Sequence, residues 1–275
     1  MSVFQILDAS VRMYRENFAL FVAITSLPTI PLQLAQVGIF TFFLDVMQST
    51  PMQRADDQLG VACTMLAVWF ALSVLQWGLA NPLATGAMTV AMTNRYLGND
   101  VSVGSSFRPV LGRLVPFLGT SMLLNLMLGG ALIGGFFTCG AALILFGFLW
   151  VWFLFTPCVM VIEGAKGTAA MSRSKQLGTG HGWRILGASA VVFIIYIAFV
   201  FVLPAGVGNI IANRFHSPIL QQVVQQTIQI MAVTLLDPMW SVLRIMLYFD
   251  MRIRKEGYDL ALAAHRLGGA SPLAA

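Results

Sequence analysis

Long runs without a charged residue dominate this chain. They cover residues 18–44, 59–93, 114–162 and 185–213, and a last run over 219–249 is broken only by Asp237 and Arg244. A membrane-crossing helix needs roughly 20 apolar residues. The run over 114–162 is long enough for two such helices, and its glycine-rich middle (Gly129, Gly130, Gly134, Gly135, Gly140) is the natural place to turn. The pattern therefore predicts six spans, at about 18–44, 59–93, 114–135, 138–162, 185–211 and 219–249. No run alternates polar and apolar positions as barrel strands do. Backbone groups in hydrocarbon must be satisfied within the chain, so helices are the remaining solution. The predicted fold is all-α: a polytopic membrane helix bundle forming one integral membrane domain over 1–275. The first run is too long for a signal-peptide core of about 7–15 residues, and Asp8 and Glu16 stand in front of it, so it reads as a retained span.

The segments between the runs carry a second pattern. Three of them read as short amphipathic helices lying in the membrane interface: 1–17, Ser105–Phe117, and the stretch from Ala169 to Leu186. In each, small or polar residues precede basic ones, and an aromatic then meets the first apolar residues. The even-numbered spans share a polar residue directly before proline: Asn81-Pro82, Thr156-Pro157 and Asp237-Pro238. Together these features predict one unit used three times, an interfacial helix followed by a helical hairpin.

Charge supplies orientation. The 275 residues include 16 Lys and Arg against 11 Asp and Glu, for a net charge of +5. Only 10% of residues are charged, against roughly 25% in soluble domains. With the N-terminus in the cytoplasm, thirteen of the basic residues fall on the cytoplasmic side, Arg54 and Arg214 lie outside, and Arg244 lies within the last span. Basic residues concentrate in cytoplasmic loops, so both termini are expected there, with 250–275 as a cytoplasmic tail. The basic excess then reads as a topogenic signal and an attraction to anionic lipid headgroups, not as a nucleic-acid surface.

Candidate chemistry is sparse. Cys63, Cys139 and Cys158 fall inside apolar runs and read as small hydrophobes. His181 and His265 are expected on one side of the membrane and His216 on the other, so no metal site is expected. No phosphate-cradling loop or nucleophile–base group is visible, so neither cofactor nor enzymatic activity is expected.

The last span stands apart. At 100° per residue, Gln222, Gln226, Gln229, Asp237, Trp240 and Arg244 share a face about 80° wide, which must avoid lipid. It reads as hydrogen-bonding glue between helices, as a solute or lipid path, or as a contact face for another subunit. Asn81, Thr85, Thr89 and Thr93 on the second span, with Asn125 on the third, are the expected facing groups. Asp237 is either a helix cap before Pro238 or a substrate or proton site. Arg244 reads as a cation snorkelling to the nearer boundary. Gly130 and Gly134 fit close helix packing.

The chain leaves the last span through Leu247-Tyr-Phe-Asp-Met-Arg-Ile-Arg-Lys-Glu-Gly-Tyr-Asp-Leu260. This string resembles the closing motif of the glycerophosphoryl diester phosphodiesterase membrane-domain family and its six-span bacterial and archaeal relatives. Pro82-Leu-Ala-Thr-Gly-Ala-Met and Tyr96-Leu-Gly also look like that family. The resemblance implies a bacterial or archaeal cytoplasmic membrane. It implies no hydrolase, because the family's phosphodiesterase chemistry resides in a separate soluble domain that this sequence does not contain. Arg252, Arg254 and Lys255, with Arg173, Lys175 and Arg184 of the third interfacial segment, are candidate headgroup or phosphate contacts. Glu256 and Asp259 are expected to pair with basic residues of other segments, such as Arg95 or Arg184.

Three function classes follow. The first is a non-enzymatic accessory or scaffold that assembles with itself or a membrane-protein partner and engages membrane lipids. The second is a small-solute or lipid transporter or channel using the stripe around Asp237. The third, an intramembrane enzyme, lacks an assembled acid, base or metal group.

Overall fold

Hydrophobic runs become helices here because the intrahelical ladder satisfies every backbone donor and acceptor locally. The computed structural model describes residues 3–49, 55–138, 141–215 and 217–257, and those residues contain helices and no strands. Six helical stretches are long and apolar enough to cross a membrane: Phe18–Met47, Leu59–Tyr96, Leu114–Gly135, Ile144–Glu163, Gly182–Ile211 and Ile219–Glu256.

The threefold unit is visible in the element order. The first repeat is α1 (Val3–Glu16), the departing span α2 (Phe18–Ser49), and a returning span made of α3 (Ala55–Leu75), a π-helical turn at Gln76–Ala80 and α4 (Asn81–Tyr96). The second is α5 (Val103–Leu111), α6 (Leu114–Phe137), and a returning span of α7 (Ala141–Phe153), α8 (Thr156–Cys158) and a π turn at Val159–Glu163. The third is α9 (Gly167–Gly178), a departing span of α10 (Gly182–Ile197) with π segments at Ala198–Val202 and Pro204–Gly208, then α11 (Asn209–Ala212) and the unbroken α12 (Pro218–Glu256).

Local chemistry explains several boundaries. Ser102 and Ser105 form a reciprocal capping box that starts α5. Pro82 has no N–H to give, and the π turn just before it lets the Asn81 amide donate to the Gln76 carbonyl instead. Gly257 ends α12 in the left-handed conformation, φ 59°, with its amide on the Ile253 carbonyl.

The short helices close the bundle. α5 packs on α4, the returning span of the repeat before it, and α9 packs on α7 in the same relation. α1 packs along α12, the returning span of the last repeat, so the three units form a ring. The buried core sits at the end that carries these short helices. Its members include Ile6, Phe21, Ile24, Met88, Met92, Phe155, Leu177, Ile185, Leu243 and Tyr248. The other half of each span is thinly packed and presents Phe42, Leu66, Phe70, Leu126 and Ile210 outward, as surfaces facing lipid do.

Two expectations shift. The short helices do more than rest in an interface, because Ile6 of α1 and Leu177 of α9 are each 1% exposed. The last span also continues past 249 to Glu256. It stays helical there because Arg254 pairs with Asp250, and Arg252 with Glu256, each one turn apart.

A charged clasp and an intramembrane polar centre

The π turn at Val159–Glu163 ends span four on a carboxylate, and Gly164, at φ 72°, reverses the chain immediately after it. Glu163 is thereby pointed at α12 and α9. Tyr248 donates its hydroxyl to Glu163 Oε1 at 2.7 Å, and Arg173 Nε donates to Oε2 at 2.8 Å. Arg173 also pairs with Glu256, which in turn accepts from Arg252 Nε at 3.1 Å. Arg252 lies 3.9 Å from Glu163 and completes the group. Burial disfavours the Arg173 charge, but the two carboxylates outweigh it and hold the guanidinium more firmly protonated than usual.

A second group lies on the neighbouring face of α12. Asp250, only 5% exposed, accepts from Arg184 of α10 and from Arg254, both at 3.0 Å. Lys255 donates to the carbonyls of Gln176 and Thr179 at the end of α9, at 2.5 and 2.6 Å, where carbonyls lack helical donors. Lys175 sits 4.2 Å from the centre of the Trp152 ring. Tyr96 stacks on Phe249 at 4.9 Å and fastens the first repeat to the same place.

All six cations singled out as headgroup contacts thus have partners within the chain: Arg173, Arg184, Arg252 and Arg254 in ion pairs, Lys255 on carbonyls, Lys175 on an indole. The expected pairing of Glu256 falls on Arg173 and Arg252, while Arg184 takes Asp250 and Arg95 lies 3.8 Å from Asp100. Asp259 lies outside the described residues, as do Cys139, His216 and His265.

The polar positions within the spans divide between two places. α12 runs unbroken through Pro238, so Asp237 caps no helix start. Its carboxylate instead lies beside the Tyr196 side chain of α10. One turn further, Trp240 packs on Trp150 at 5.4 Å. Arg244 lies near Cys158, which is close to Thr89, and its Nε is enclosed with no hydrogen-bond partner among the described residues. It has not snorkelled to a boundary. Gln222, Gln226 and Gln229 are half-buried and form no hydrogen bond among the described residues. The pairing on that stretch belongs to Gln221, on the Phe215 carbonyl, and to Gln225, on Asn209. Asn81 and Asn125 instead serve the π turn of span two. Asn81 accepts from Gln76 at 3.1 Å, and Asn125 donates to the Trp77 carbonyl at 2.8 Å. Thr85 contributes its carbonyl to Thr89.

Sequence reasoning missed Glu163, Tyr196 and the part played by Cys158. A signal for each existed. Spans five and six run antiparallel, so counting twelve residues on from Arg184 and thirteen back from Asp250 brings Tyr196 opposite Asp237. Counting back from the boundary residues Arg95, Glu163 and Asp250 reaches Thr89, Cys158 and Arg244 at nearly the same depth in each repeat. Those three meet where the returning spans converge. Among the described residues, no three His, Cys, Asp or Glu side chains come together to hold a metal ion.

The fold and this site define an all-α, multi-pass integral membrane protein. Comparisons with protein-family models, curated proteins and solved structures find no match for this chain. The likeness of the closing string to the phosphodiesterase-associated membrane domains is therefore left as a likeness, and function is read from the molecule itself.

Proposed function

We propose that this protein is a non-enzymatic membrane accessory or scaffold that assembles with itself or with a membrane-protein partner. The clasp carries the reading. Eight ionic or phenolic groups from α9, α10, α12 and the end of span four are cross-braced at one end of the bundle. Such bracing opposes the rocking of one half against another on which alternating access depends. The braced end, in this reading, faces the cytoplasm as a fixed platform. The apolar far half, with its exposed Phe, Leu and Ile side chains, is the surface for lipid or neighbouring spans.

The test is native mass spectrometry of the protein released from its own membrane without delipidation. The reading expects a defined homo-oligomer or a stoichiometric second protein. A bare monomer would count against it.

A second reading, solute or lipid transport, is favoured by one observation, the carboxylate of Asp237 placed beside Tyr196 inside a span. If transport is the function, Asp237→Asn abolishes flux in proteoliposomes while assembly stays intact. Loss of thermal stability alone would return Asp237 to a structural role.

A further inference from the structure

Arg244 is a half-buried cation that makes no ion pair among the described residues. A guanidinium offers five N–H donors and does not give up its proton inside proteins. The Arg244 Nε is enclosed and unpartnered, and the side chain makes no ion pair or hydrogen bond among the described residues. The carboxylate of Asp237 acts on it only at a distance, seven residues and about 10 Å along the same helix by helical rise. Every cation of the clasp is matched, and this one is not.

A second orphaned donor lies at the same depth. Ser189 of α10 is 5% exposed, and its hydroxyl has no partner among the described residues. Hydroxyls in this bundle ordinarily return to the carbonyl four residues back, as Thr25, Thr29, Thr89, Thr93 and Thr120 do. Ser189 does not. Arg184 pairs with Asp250, and Tyr196 lies beside Asp237, which together set the antiparallel register of α10 and α12. That register sets Ser189 opposite Arg244.

We propose that Arg244 and Ser189 form a binding site for the oxyanionic head of an amphiphile, a lipid phosphate or a fatty carboxylate, entering from the bilayer beside span five. Two donors left open at one depth fit an acceptor with several lone pairs, and a guanidinium fork matches carboxylate and phosphate equally well. The route follows from packing. α10 touches α12 and α7 sparingly, and its continuation is interrupted by the π segments Ala198–Val202 and Pro204–Gly208, features that recur at functional sites. Phe193, Ile194 and Ile197 are exposed along this span, so an acyl tail remains in apolar surroundings while its head reaches the arginine. The inference goes beyond the scaffold reading and does not depend on it.

The experiment places the full chain in phosphatidylcholine nanodiscs and titrates phosphatidylglycerol or oleate, reading adducts by native mass spectrometry. The expected result is one saturable adduct that weakens roughly tenfold or more in Arg244→Met and roughly fivefold in Ser189→Ala, the factors that losing one charged or one neutral hydrogen bond implies. Arg12→Gln, an exposed cation on α1, is expected to bind as the wild type does. Saturation by phosphatidylglycerol alone identifies a phosphate head, by oleate alone a carboxylate head, and either supports the site. If Arg244→Met fails to fold, Arg244→Lys keeps the charge but lacks the fork, and it is expected to bind about tenfold more weakly. No saturable adduct with either amphiphile, or unchanged binding in the arginine variants, overturns the proposal. Oligomeric state is read from the same spectra, so failure of this site and failure of the scaffold reading are distinguishable.

Discussion

Glu163 accepts from a tyrosine and an arginine, and Arg252 stands behind them. Its partners come from two other elements, so one carboxylate ties span four to α9 and α12. Glu163→Gln keeps the shape and removes the charge. Since hydrogen bonds to charged groups contribute roughly 1.5–3 kcal/mol, the variant is expected to lose about 2 kcal/mol in thermal or denaturant unfolding. Asp8→Asn breaks an ion pair of similar length, 3.0 Å, between two side chains that are about 70% exposed, and should cost less than about 0.5 kcal/mol. Equal losses in the two variants would show that the clasp is no more than a solvated charge cluster. Tyr14 works by a different route. Its hydroxyl donates to the Leu235 carbonyl at 2.5 Å, and burial pushes its pKa up to about 12. An acid whose folded pKa lies above its unfolded value of about 10 stabilises the fold fully below that value. That contribution is lost as pH rises from about 10 to 12. Wild-type stability should therefore fall across this window more steeply than that of Tyr14→Phe, and parallel curves would contradict the bond. The partner of Tyr14 was not legible beforehand, because a backbone acceptor more than two hundred residues away leaves no trace in local pattern.

Helices were the most legible level. Charge-free runs of span length have one stable solution in lipid, and the six predicted spans match the observed ones within a few residues at most ends. Their interruptions were less legible. The Asn81-Pro82 pair announces a break, yet whether proline is met by a π turn, as at Gln76–Ala80, or carried within a continuous helix, as at Pro238, depends on the neighbours. Neighbouring helices also decide which glycines matter. A Cβ on Gly178, in the last turn of α9, would stand 2.8 Å from the Val151 carbonyl oxygen of α7, so backbone would have to move. At Gly104 in α5 a Cβ meets nothing within 4 Å. Gly178→Ala is expected to destabilise by about 1–3 kcal/mol through overpacking. Gly104→Ala should gain up to about 1 kcal/mol of helix propensity. Thermal unfolding of the two variants in the same detergent checks both signs.

At the scale of the molecule, repetition in the sequence becomes closure in space. Three units of short helix and hairpin were visible from the spacing of basic segments and of polar-proline pairs. Their arrangement was not, because nothing local says which returning span a short helix will cover. In the structure each covers the span of the unit before it, and α1 covers α12, the last. The residues set at equal depth by the repeat then meet at the centre as Thr89, Cys158 and Arg244. A polar stripe read from one helix alone named Asp237 and Arg244 but had no means of finding Tyr196 or Cys158, which come from spans four and five.

Ring closure within one chain is the central claim, and the seam between α1 and α12 tests it most directly. Cysteines placed at Tyr14 and Leu235, in a background lacking Cys63, Cys139 and Cys158, can be bridged in native membranes with a short bifunctional thiol reagent. Nearly complete intramolecular bridging, independent of protein density, is the predicted result. Absence of bridging, or bridges that join two chains, would contradict a ring closed by its own first helix.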